Sequence, residues 1–150
     1  MKLPKREHEK HGERDLFHEL SFYTLSHADP SFIHQHVVDA YAVQTADDHS
    51  KPIGVVFGLV GLYLHVEKNF TGRQVQQTHM RLGRRRKSWP HLVLPEQRGN
   101  ITVADVLATP PGSDRDEMIH RWCTSTWEAC KHLRLEIVAA IEGATRKSDE

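Results

Sequence analysis

HQHVVDAYAVQ, residues His34–Gln44, places metal-capable and proton-capable side chains inside a helix-forming, half-apolar stretch. At about 100° per residue, His34, Val38, Tyr41 and Thr45 share one narrow sector of a helix, and His36 and Asp39 occupy another. The H-x-H pair therefore does not chelate from a single face. His36 and Asp39 stand three apart, a spacing that lets a carboxylate orient an imidazole. The plainer expectation is that His36 and Asp39 are a polar pair at the surface and that His34 and Tyr41 lie on the inward stripe.

Working outward, the chain reads as helix after helix. Asp29-Pro30 starts the helix that carries this stretch to about Thr45, since aspartate caps exposed amides and proline fits a first turn. Asp47–Ser50 reads as a connection, and Ser50 caps an apolar helix from Lys51 to Asn69 with Pro52 in its first turn. Thr71 and Gln74 have capping-box spacing for a helix ending near Leu82, where Gly83 supplies the stop and a basic loop follows. Prolines make Ser88–Gly99 irregular, and Thr102 then caps a short helix through Val106. From Ser113 or Asp114, Met118, Ile119, Trp122, Thr126, Cys130, Leu133, Ile137 and Ile141 recur at helical spacing. Upstream, Asp15–Ser26 predicts a first helix whose inner face carries Leu16, Phe17, Leu20, Phe22, Tyr23 and Leu25. No stretch alternates as a strand would. The expected fold is all-α, a compact single-domain bundle of four or five helices with an irregular connection containing Trp89 and prolines. Residues 1–14 read as a disordered or loosely attached charged arm, 15–144 as the domain, and 145–150 as a polar tail.

At 150 residues one domain suffices, and roughly two-thirds of the unfolded surface can be buried. Twenty basic residues balance twenty acidic ones, so no global field recruits nucleic acid or anionic membrane. The twelve histidines are dispersed, and net charge should turn positive as pH falls through the imidazole range. Cys123 and Cys130 stand about 10 Å apart along one helix, beyond disulfide reach, and read as core thiols. With no apolar run of membrane length and a charged N-terminus, a cytoplasmic setting and no membrane partner are expected.

Val38-Asp39-Ala40-Tyr41-Ala42-Val43-Gln44, Glu67, Gly99–Val106 and Trp127-Glu128-Ala129 together resemble a family of small bacterial helical proteins of unknown function with a VDAYAxQ core motif. The likeness runs from about Glu19 to Ile141. The resemblance implies histidines at the positions of His34, Thr45, Gly58 and Arg134, where a metal could sit between helices. This chain keeps only His34. A family-type metal site is thus degraded here, and the resemblance favours no cofactor, although a transition metal could still bind other histidines.

Gly54, Gly58, Gly61 and His65 form a stripe on the apolar helix that permits close helix approach or room for Trp122 or Trp127. Arg134 lies near the apolar face of the last helix and should seek Asp39 or Glu67. The ligand-binding candidates are His34, Asp39, Tyr41 and Arg134, and the metal candidates are His34, His36 and His65, with His79 and His132 in reserve. Arg84, Arg85 and Arg86 beside Trp89 could hold phosphates and stack a base, although a neutral chain argues against nucleic acid. Phosphate-loop, dinucleotide, HExxH, EF-hand and nucleophile-elbow motifs are absent, so no catalytic residue is named. Three functions fit: a non-catalytic or ligand-binding domain on a degraded metal scaffold, a metal-dependent enzyme (zinc, iron or copper) using a rearranged histidine set, or a protein-interaction module such as an immunity or adaptor protein. A small molecule or a protein is the partner these imply. The sequence sets no oligomeric state.

Overall fold

The computed structural model describes the backbone of residues 5–27 and 29–149 and the side chains of 12–27 and 29–143. Side chains of the charged arm up to His11 and of the tail from Ala144 lie outside the described residues. Among the described residues seven α-helices follow in order: α1 (Lys5–Leu25), α2 (His34–Thr45), α3 (Pro52–Lys68), α4 (Gly72–Arg85), α5 (Val103–Ala108), α6 (Ser113–Cys130) and α7 (Arg134–Asp149). The class is all-α, and the described residues contain no strand. The count exceeds the expected four or five, chiefly because a 3-10 turn over Lys131–Leu133 breaks the expected last helix into α6 and α7. No helix among the described residues is long and apolar enough to cross a membrane.

Local chemistry sets most boundaries. Thr71 and Gln74 close a reciprocal capping box: the Thr71 amide donates to Gln74 Oε1 at 2.9 Å, and the Gln74 amide donates to Thr71 Oγ1 at 3.2 Å. Asp105 accepts from both the Thr102 amide and its hydroxyl, at 2.8 and 3.2 Å, at the head of α5. Asn69, in the left-handed region at φ 57°, ends α3. Asp29 does cap amides, those of Ser31 and Ile33 at 2.9 and 2.8 Å. Yet α2 begins only at His34, because Phe32 takes φ 59° and interrupts the turn. Gly72 makes room there, since a methyl on it would overlap the Phe32 carbonyl. The backbone of α1 begins at Lys5, earlier than the expected Asp15.

Two expectations need correction. Gly83 does not stop α4, which runs to Arg85. Arg84 and Arg85 occupy its last turn, where cations suit the helix dipole, and do not belong to a loop. On α1, Leu20 is buried and Leu16, Phe17 and Tyr23 pack on the core, but Phe22 and Leu25 face outward. Three of the six expected apolar positions thus fit one stripe with Leu20, and α1 is too peripheral to bury a second.

The core centres on α2 and α3, with α6 across both. Leu59, Leu62, Trp122, Trp127 and Ile137 fill its interior. α2 also meets α1 and α4, which leaves it little solvent-facing surface.

Candidate functional site

α2 and α3 run antiparallel in a register readable from three facing pairs: His36 with His65, Asp39 with Gly61, and Val43 with Gly58. The glycine stripe is therefore filled, by side chains of α2 and not by either tryptophan. A methyl on Gly61 would overlap the Asp39 carboxyl, and one on Gly58 would lie 2.8 Å from Val43 Cγ2. Gly54 has open space around it.

Asp39 and His36 are not a surface pair; both are buried, at 3% and 6% exposure. The reason lies in the packing of α2, whose second sector faces α3 and α6 where the first was expected to be the inward one. Asp39 Oδ1 accepts from Gln35 Nε2 at 3.1 Å, while Oδ2 has no hydrogen-bond partner. Burial pushes this carboxyl well above its ordinary range, against the opposing Gln35 bond. The His36 ring stacks on that of His65 at 3.6 Å between centroids, and its Nδ1 is unpartnered. Burial, reinforced by the neighbouring His65 and His120, pushes His36 down to about 3.

His65 continues this polar seam toward solvent. Its Nδ1 lies 3.2 Å from the Phe70 carbonyl oxygen, and its Nε2 lies 3.1 Å from Nδ1 of the exposed His120. On the inner side, the Cys123 thiol donates to the His36 carbonyl at 3.6 Å. Burial pushes Cys123 up strongly, with the Asp39 charge adding to it, and burial pushes Cys130 up to about 11. Both thiols are buried, as expected of core cysteines.

The other candidates are dispersed. His34 Nδ1 pairs with the Thr24 hydroxyl at 2.9 Å, and Tyr41 stacks on Phe17 at 4.1 Å. Arg134 finds Glu67, one of its two expected partners, at 2.9 Å. Glu67 also accepts from Trp127 Nε1 at 2.9 Å, and Arg134 lies over the Tyr63 ring. Burial alone would raise Glu67, but the Arg134 and Trp127 bonds outweigh it and hold the carboxyl below its ordinary value. His34, Asp39, Tyr41 and Arg134 are thus not brought together. Nor do His34, His36 and His65 converge: the last two stack face to face, and among the described residues no three metal-capable side chains are grouped to hold an ion. His79 pairs with the Phe57 carbonyl at 2.8 Å, and His132 is exposed on the 3-10 turn. Half-buried Trp89 stands at 89° to the Phe57 ring, with the Arg86 guanidinium 5.4 Å from its own ring centroid.

A groove at the C-terminal end of α2, about 600 Å³ in volume, was not foreseen. Tyr41, Gln44 and Thr45 line it together with Glu13, Arg14, Asp47, Asp48, Glu96 and Arg98. Arg98 builds its wall by donating to carbonyls at and just past the end of α2: Nη1 reaches Val43 at 3.1 Å and also the carbonyl of Ala46. This side chain does the work of a C-terminal cap. Gln44 links groove to core, accepting from Trp122 Nε1 at 2.9 Å and donating to the Ile101 carbonyl at 2.7 Å. Arg98 stands 54 residues beyond Gln44, and no local pattern ties the two. His120 was missed for the same reason, since its partner lies 55 residues away.

A sequence model described as "Family of unknown function" matches residues 9–131 of the chain. No curated protein and no solved structure matches it.

Proposed function

Since the chain belongs to the DUF5946 family, described as of unknown function, we propose its role from its own geometry: it binds and does not catalyse, and the α2 groove takes a small cationic ligand such as a polyamine. The observation that carries this reading is the lining. Four carboxylates, those of Glu13, Asp47, Asp48 and Glu96, face two guanidiniums, and one of these, Arg98, is turned to backbone carbonyls. Tyr41 adds an aromatic surface and a half-buried phenol. Burial and then the Glu13 carboxylate push it above its ordinary value, with Arg14 opposing. An acidic concavity with an aromatic wall favours an ammonium group.

The polar seam offers no nucleophile with a base. Its thiol is buried and raised, its aspartate is held toward the neutral acid, and its inner histidine is neutral. A degraded form of the family-type metal scaffold, placed in the cytoplasm as one domain over 15–144, accords with that chemistry. Spermidine titrated into labelled protein and followed by amide NMR shifts tests the proposal. Saturable shifts at Tyr41, Gln44 and Thr45, weakened by Asp48→Asn with Glu96→Gln, are expected. No saturable shift, or stronger shifts at the same residues with citrate, would overturn it.

One observation favours a second reading, a protein-interaction module. Phe22 and Leu25, three residues apart on α1, are 76% and 59% exposed. If they dock a partner, replacing both with serine should abolish capture from the native host without lowering thermal stability. Unchanged capture removes this reading.

A further inference from the structure

We propose that His65 and His120 form a two-histidine site for a borderline transition-metal cation such as Zn²⁺, Co²⁺ or Cu²⁺, with solvent completing the coordination sphere. The site is separate from the groove and independent of its ligand. Three observations build it. First, His65 Nδ1 lies 3.2 Å from the Phe70 carbonyl, an oxygen that can only accept, so Nδ1 carries the proton and Nε2 presents its lone pair. A backbone carbonyl holding the far nitrogen is the usual support of a metal-binding imidazole. Second, that lone pair meets His120 Nδ1 at 3.1 Å. Two nitrogens each about 2.1 Å from one ion lie roughly 3.0–3.4 Å apart between octahedral and tetrahedral angles, so the pair stands at chelating separation. Third, the two partners differ in freedom. His65 is clamped by its stack on buried His36, at 3.6 Å, whereas His120 is exposed and its ring stands at 89° to that of His65.

Without metal, the His120 Nδ1–H donates to His65 Nε2. On binding, the cation replaces that shared proton, His120 shifts to its Nε2–H tautomer, and its ring swings outward to aim Nδ1 at the ion. No electron transfer is involved. Imidazole donors select zinc, cobalt, nickel and copper over magnesium or calcium, with copper bound most tightly. Two protein donors make an exchangeable site open to water, in keeping with the absence of any group of three metal-capable side chains among the described residues.

The test uses full-length protein carrying no affinity tag, because the chain has twelve histidines. Zn²⁺ titration by calorimetry should give one site, at least tenfold weaker in His120→Ala and unchanged in the control His132→Ala. Cu²⁺ EPR should show two nitrogen couplings in the wild type and one in His120→Ala. Because His120 is exposed, its variant should fold normally. His65→Gln adds a second arm if it folds. Wild-type protein that binds no zinc, or His120→Ala binding as tightly as wild type, overturns the proposal.

Discussion

Gly61→Ala replaces one hydrogen with a methyl and should nonetheless be among the most damaging small substitutions in this chain. The methyl would overlap Asp39 Oδ2 and Cγ and lie 3.1 Å from Oδ1, an intrusion too deep for a shift of a few tenths of an ångström. Asp39 is 3% exposed and has nowhere to retreat, so its carboxyl must turn or α2 must move away from α3. Overpacking of this kind costs about 1–3 kcal/mol. Losing the Gln35 bond adds about 1 kcal/mol, and the better helix propensity of alanine returns about the same. The net loss is roughly 1–3 kcal/mol, or a fall of about 3–10 °C in Tm for a chain of this size. Its cause can be isolated by a double-mutant cycle with Asp39→Ala, because removing the carboxyl empties the space the methyl needs. Denaturant unfolding of the four proteins should give a coupling of at least about 1 kcal/mol, with the double variant more stable than the sum of single losses implies. Along the same helix, Gly58→Ala should cost less, since its methyl meets Val43 Cγ2 at 2.8 Å. Gly54→Ala, into open space, should gain up to about 1 kcal/mol. A Gly61→Ala protein as stable as wild type would refute the reasoning, as would strict additivity in the cycle.

Acid should unfold the protein partly through His36. Its folded value near 3 lies below the ordinary 6.5, so its contribution is present above pH 6.5 and lost as pH falls toward 3. By pH 4 the loss is about 3 kcal/mol, and His36→Gln should flatten the stability profile between pH 7 and 4; an unchanged slope removes His36 as the cause. Asp39 has the opposite sign: its raised value makes its contribution greatest below pH 3.8 and diminishing as pH rises, so Asp39→Asn should raise Tm more at pH 8 than at pH 4. Glu67→Ala should cost about 1–3 kcal/mol by leaving the Trp127 indole N–H buried without an acceptor. Arg134→Leu should cost less in the same denaturant assay, because the Trp127 bond survives it; equal losses would count against this assignment.

Features set by neighbours in sequence were legible, and those set by neighbours in space were not. The Thr71–Gln74 box and the stop after Lys68 depend on residues within one turn, so composition announces them. The inner face of α2 was misplaced because a single-stripe argument assumes one buried side, whereas α2 touches α1, α3, α4 and α6. An aspartate inside such a helix reads as surface until the glycine facing it is known. Gly58, Gly61 and His65 at helical spacing did signal close approach, but not what approaches. The Arg134–Glu67 contact was legible because a cation near an apolar face has few remedies, although the Arg134 side chain stays 41% exposed. The groove depends on Arg98 reaching back to α2, and the imidazole pair on α6 crossing α3; neither leaves a mark in local sequence.

The pairing of Asp39 with Gly61 also acts as an alignment key for folding. Shifting α2 along α3 by one turn, about 5.4 Å, would set the carboxyl against Phe57 or His65, four residues to either side of Gly61, and drive Val43 or its neighbours into the vacated notch. Hydrophobic residues at 3.6-residue spacing tolerate such a slip, since one leucine resembles the next. A carboxyl that fits only where a side chain is missing does not. The chain thereby trades some stability at neutral pH for a single way of assembling its two central helices.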